Sequence, residues 1–168
     1  RKENSFYEAV KKAVDLGYTE PDPKIDLCGI DVSRKILILA RESGKKIEFS
    51  DVQNISFLPD ESINTESKEE FLESIKNNND HFNKMLDKAV KNKSRLKYVA
   101  SLIDGKASVS LKEINENHPF YNLQGSDNIT VFHTDRYKES PLVVKGAGAG
   151  GEFTASGVFA DIIKASKK

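Results

Sequence analysis

A single cysteine, Cys28, in a chain of 168 residues leaves no internal disulfide and no multi-cysteine metal site to be made. A lone thiol suits a reducing compartment, so a cytoplasmic location is expected. Net charge is also missing: 26 basic side chains stand against 26 acidic ones. Without a block of clustered Lys and Arg there is no footprint for a phosphate backbone, and no nucleic-acid partner is expected. No apolar run approaches the roughly 20 residues that a helical membrane span needs, so no membrane association is expected either. There is one methionine, Met85, and the chain opens at Arg1 without an apolar leader, which reads as a segment cut from something longer. What is present is 38% hydrophobic residues, enough at this length for the core of one soluble domain or at most two small ones.

Ser5-Phe6-Tyr7-Glu8 has the form of a capping box, and Phe6, Val10, Ala13 and Val14 follow at helical spacing until Gly17. The next stretch, Gly17 to Gly29, holds two prolines that push Glu20 and Asp22 into extended backbone, and it reads as a stiff acidic loop. From Ile30 to Glu42 a second helix is expected, stopped by Gly44. Its four consecutive apolar residues, Ile36 to Leu39, turn by about 100° each and so predict burial on several sides. One strand is expected between Lys45 and Asn64. Two surface helices, Ser67 to Ile75 and Asp80 to Lys91, carry Phe71, Leu72, Ile75, Phe82, Leu86 and Ala89 as an inner stripe that would lean on strands. Four strands follow, Leu96 to Ile103, Ala107 to Leu111, Ile129 to His133 and Leu142 to Lys145, with Asp104-Gly105 as a hairpin turn and Ser126-Asp127-Asn128 as another turn. A closing helix runs from Glu152 to Ala165. Helices, then strands, then a helix give an α+β class, a mixed β-sheet with helices layered on one face.

Four acids, Glu20, Asp22, Asp26 and Asp31, fall within twelve residues, with no histidine or second cysteine near them. Zinc is disfavoured, and the spacing is too loose for a calcium loop. Asp31 and Lys35 stand at i and i+4, on one face of an otherwise largely apolar helix. Such a pair can be an intrahelical ion bridge worth about 0.2 to 0.5 kcal/mol. It can also be functional, a desolvated lysine exchanging a proton while neighbouring carboxylates hold a cationic substrate, provided Glu20 and Asp31 converge. Further on, Gly146, Gly148 and Gly151 satisfy the letters of a dinucleotide fingerprint, but a second strand and a distant acid are not found after them. That loop either lets a phosphate or nicotinamide approach the backbone or is only a tight strand-to-helix turn. His81, His118 and His133 read as ordinary surface or strand-end residues.

Two long stretches carry a resemblance that composition does not supply. GYTEPDPKIDLCGIDVSRKILILARESG, Gly17 to Gly44, resembles the signature of homoserine dehydrogenases. HPFYNLQGSDNITVFHTDRYKESPLVVKGAGAGGEFTASGVFADII, His118 to Ile163, is similar to their C-terminal portion, particularly in bifunctional aspartokinase/homoserine dehydrogenases. Lys24, Ile25 and Cys28 depart from the signature where an arginine, an acid and a small polar residue are usual. The resemblance implies interconversion of L-homoserine and L-aspartate 4-semialdehyde by hydride transfer with NADP or NAD, in threonine and methionine biosynthesis. By it, Lys35 is the proton donor or acceptor, Glu20 and Asp31 bind homoserine, Asp26 supports them, and Gly17 and Gly150 contact the cofactor through their backbone.

The family's nucleotide-binding half has no counterpart in this sequence. The resemblance therefore implies a substrate-binding, catalytic and dimerisation domain over residues 1–145 and, over 146–168, a glycine loop and helix that would pack on the missing half. A homodimer is implied, with the isolated segment folding but not turning over. The competing readings are a non-catalytic homodimerisation module and a small nucleotide-binding protein built on the glycine loop.

Overall fold

A computed structural model describes residues 5–125, 127–148 and 150–167. Arg1 and Ser126, on which two of the expectations above fall, lie outside them. The chain divides into two compact units, Arg1–Ile114 and Asn115–Lys168. This boundary of packing falls at a different place from the expected division by role at residue 145.

In the first unit, α1 (Phe6–Asp15) is started by the expected capping box, with Ser5 Oγ accepting from the Glu8 amide and the Glu8 carboxylate accepting from the Ser5 amide. The acidic stretch is not all loop. Asp22 is extended and its side chain accepts from the Lys24 amide, which starts a short helix α2 (Pro23–Leu27) with proline at its first position. Proline there loses no hydrogen bond, and its fixed φ suits a first turn. Cys28 and Gly29 then join α2 to α3 (Ile30–Glu42). Burial of α3 on several sides is corrected: Ser33, Ile36 and Ala40 are buried, whereas Ile38 is 61% and Leu39 46% exposed. A single face, at spacings of three and four, meets the sheet.

Residues 45 to 64 hold more than one strand. A 3₁₀ turn (Phe49–Asp51) precedes β1 (Gln53–Ile55), and a short helix α4 (Asp60–Ile63) follows Pro59. Helices α5 (Lys68–Asn77) and α6 (Asn79–Lys91) come next. They lean mainly on helices rather than on strands: Val10, Leu58, Phe71, Ile75 and Phe82 form one core cluster, with Phe6 and Phe82 rings 4.2 Å apart. Leu86 leaves the expected stripe and is exposed, because α6 packs along Phe82 and Ala89 only.

Strands β2 (Arg95–Ile103) and β3 (Lys106–Ile114) form a hairpin through Asp104 and Gly105, whose φ values of 50° and 77° are those of a type I′ turn. The sheet is mixed, in the order β1-β3-β2, because β1 pairs parallel to β3 with Asn54 opposite Val109. Ile36, Val52, Ala107 and Val109 make a second core, with Tyr98, Ala100 and Leu102 on the same sheet face. Helices on a small mixed sheet give the expected α+β class.

The second unit holds the antiparallel pair β4 (Asp127–Phe132) and β5 (Leu142–Ala147), then α7 (Gly151–Ser166). Asp127 and Asn128, expected in a turn, already pair with Ala147 and Gly146. At Gly148 a Cβ would lie 1.3 Å from the Asn128 side-chain nitrogen, so any other residue there requires the Asn128 amide to move. No residue of α7 is buried.

Candidate functional site

The signature segment is organised about the joint between α2 and α3. Gly29 caps α3 at φ 75°, a left-handed value that glycine takes without strain. The joint sets Asp26 on one helix and Asp31 and Lys35 on the next. The Asp26 carboxylate accepts from the Glu20 amide at 2.9 Å, which folds the proline stretch back onto α2. Lys24 reaches across to donate to the Thr65 carbonyl, tying α2 to the segment before α5.

Lys35 Nζ and Asp31 Oδ2 form an ion pair at 2.7 Å, and the two side chains are 62% and 43% exposed. The expected desolvated lysine on a buried face is thus corrected: the pair lies on the rim of α3, open to solvent, because Ser33 and Ile36 take the core-facing positions. Among the described residues no hydrogen bond or ion pair links the Glu20 carboxylate to Asp31 or Lys35. What this unit holds together is Asp31 with Lys35, and Asp26 with the Glu20 backbone. As it stands, the arrangement presents a paired amine and carboxylate to solvent at the rim of α3.

Two further residues were missed by motif reading. Asn54 donates from Nδ2 to the Cys28 carbonyl at 2.6 Å, and its Oδ1 accepts from the Tyr98 hydroxyl at 3.3 Å. Tyr98 lies against Gly29 so closely that a Cβ at that position would sit 2.1 Å from the hydroxyl oxygen. Nothing local in the sequence signals this, since β1 and β2 bring both residues from afar. Burial pushes the Cys28 thiol up from its ordinary range, partly offset by Lys24, with Asp22 adding to the rise. Burial, then the nearby Cys28, raises the Tyr98 phenol likewise.

Gly17 has φ 71° and Gly150 φ 144°, and a Cβ at either would meet nothing within 4 Å. The same openness is found at Gly44, Gly105, Gly125, Gly146, Gly151 and Gly157, so it does not single out these two positions. Among the described residues no group of three or more His, Cys, Asp or Glu could hold a metal ion. No described helix is long and apolar enough to cross a membrane. Two of the histidines are engaged, His81 Nε2 lying 2.9 Å from the Phe57 carbonyl and His118 Nδ1 accepting from the Phe120 amide, and His133 lies just past β4.

Comparison with known proteins gives a consistent relationship. The chain is 42% identical over 162 residues to the bifunctional aspartokinase/homoserine dehydrogenase 2 of Zea mays, covering 95% of this chain and 18% of that protein. It is 42% identical to the homoserine dehydrogenase of Schizosaccharomyces pombe, covering 95% of this chain and 43% of that one. It therefore spans less than half the length of these relatives. A crystal structure of a Candida auris protein of unknown function superposes with a TM-score of 0.89 at 38% identity, over 100% of this chain and 48% of that one. The Staphylococcus aureus homoserine dehydrogenase shares the fold, with a TM-score of 0.71 at 22% identity over 99% of this chain and 38% of that one. The family profile described as homoserine dehydrogenase matches residues 1–163, and the chain belongs to that family.

Proposed function

We propose that this chain is the substrate-binding and catalytic segment of an NAD(P)-dependent homoserine dehydrogenase in threonine and methionine biosynthesis, acting in the cytoplasm. The observation that carries the proposal is the Asp31–Lys35 pair at 2.7 Å, in the segment that bears the family signature. Homoserine brings an ammonium that a carboxylate can hold and an alcohol that must lose a proton as hydride leaves. Lys35 takes or returns that proton at the substrate oxygen. Asp31 orients the amine and, with Glu20, binds the substrate ammonium. Asp26 keeps Glu20 in reach by holding its amide. Gly17 and Gly150 supply open backbone for contact with the dinucleotide, which when bound supplies the hydride acceptor. In this reading residues 1–145 are the substrate, catalytic and dimerisation part. Residues 146–168 pack on a nucleotide-binding half outside the sequence, and the chain alone pairs with its twin but does not turn over.

The test is steady-state oxidation of homoserine, followed as NADPH or NADH formation, by the complete polypeptide that carries this segment. Lys35→Ala is expected to lower turnover by on the order of 100-fold. The isolated 168-residue chain is expected to give no product. Unchanged turnover in the variant removes Lys35 from the chemistry and favours the non-catalytic homodimerisation module.

A further inference from the structure

Within the first unit, the two halves of the signature, α2 with Asp26 and α3 with Asp31 and Lys35, meet at only two residues, Cys28 and Gly29. A two-residue joint of which one is glycine has little stiffness of its own. What fixes it comes from the sheet. The Cys28 carbonyl can only accept, so the atom facing it at 2.6 Å must be the Asn54 amide nitrogen. That leaves Asn54 Oδ1 free to accept, and the Tyr98 hydroxyl donates to it at 3.3 Å. The same hydroxyl fills the space where any side chain at residue 29 would stand. Tyr98 is in turn held by an edge-to-face contact with the Phe57 ring at 5.7 Å. The joint is thus grasped from β1 through one side chain and from β2 through another, and these strands are both paired to β3.

We infer that Asn54 and Tyr98 are positioning residues, a clamp from the sheet that sets the angle between α2 and α3 and so the placement of Asp26 and the Glu20 it holds relative to Asp31 and Lys35. This rests on the homoserine dehydrogenase reading above. Neither residue touches substrate in that reading. Both act through the Cys28–Gly29 backbone, where small displacements change the fit of a bound molecule more than they change folding.

Asn54→Ala removes both polar contacts, and Tyr98→Phe removes the hydroxyl alone. In the complete polypeptide, Asn54→Ala is expected to raise the KM for homoserine about 5-fold or more, since at least one net hydrogen bond is lost, with the cofactor KM unchanged. Tyr98→Phe should give a smaller change of the same kind. A role confined to stability predicts the opposite split, with kcat falling with the folded fraction and the homoserine KM constant. An activity-free readout comes from Cys28, the only thiol in this segment, followed by mass spectrometry of the peptide that carries it. Its labelling by a disulfide reagent, on folded protein at one pH, should run several-fold faster in Asn54→Ala than in the wild type. Active wild type with an unchanged homoserine KM in Asn54→Ala, or an unchanged labelling rate, overturns the clamp alone. A wild type that does not oxidise homoserine overturns the functional reading and the positioning role with it.

Discussion

Ser33 lies on the buried face of α3, and among the described residues its hydroxyl has no hydrogen-bond partner. A buried hydroxyl left unpaired costs free energy, and alanine is also the better helix former. Ser33→Ala is therefore expected to raise stability by about 1 kcal/mol, seen as a higher midpoint of urea unfolding with the same slope. A fall in the midpoint would mean that the hydroxyl has a partner. Asp31 and Lys35, its neighbours on the same helix, stand on the open rim, so the function proposed there and the packing at Ser33 are separable by mutation. The pattern of charges made Asp31 and Lys35 visible in the sequence as a pair. Their exposure was not visible, because four apolar residues in a row say nothing about which neighbours arrive to cover them.

At the scale of elements, the joint between α6 and β3 is held by Glu113. Its carboxylate accepts from Asn92 Nδ2 at 2.8 Å, just past the end of α6, and from Ser94 Oγ at 3.3 Å, and it pairs with Lys88 Nζ at 2.9 Å. The hydrogen bond from Asn92, then that from Lys88, holds the Glu113 carboxyl below its ordinary range. A group whose folded-state pKa is lowered adds stability above its unfolded pKa and loses it as pH falls through the lower folded value. Asn92→Ala should destabilise the protein at neutral pH, and that difference should vanish once acid has protonated Glu113 in both proteins. Unfolding curves across acid pH check this, and a difference that persists at the acid end removes Glu113 as the cause. The elements themselves were largely legible: the capping box of α1, the Asp-Gly hairpin and both lysine-rich helices follow local rules. The short helix α2 was hidden because two prolines in five residues look like a loop until one of them serves as a helix start.

Taken whole, the molecule keeps its two cores in the first unit. In the second, Phe132, Leu142, Val143, Val144, Phe153 and Phe159 are all exposed, and α7 buries nothing. A two-stranded pair with an uncovered helix is marginal by itself, and apolar surface of this extent is typical of an interface. In the proposed reading α7 packs on the nucleotide-binding half, which leaves the exposed residues of β4 and β5 as the surface for the proposed homodimer. Sedimentation of the chain at micromolar concentration should give twice the monomer mass, and a monomer would refute the pairing.

By itself the sequence determined the α+β class, most element positions and the family, and it singled out Glu20, Asp26, Asp31 and Lys35 as candidates, because caps, turns and signature spacings act over a few residues. The tertiary structure decided which face of α3 is covered, the parallel pairing of β1 with β3, the packing of α5 and α6 on α1, and the contacts of Asn54 with the Cys28 carbonyl and of Tyr98 with Gly29. Each of these joins residues that chain-local rules cannot relate, since it depends on how much surface and hydrogen bonding distant segments satisfy together when they meet.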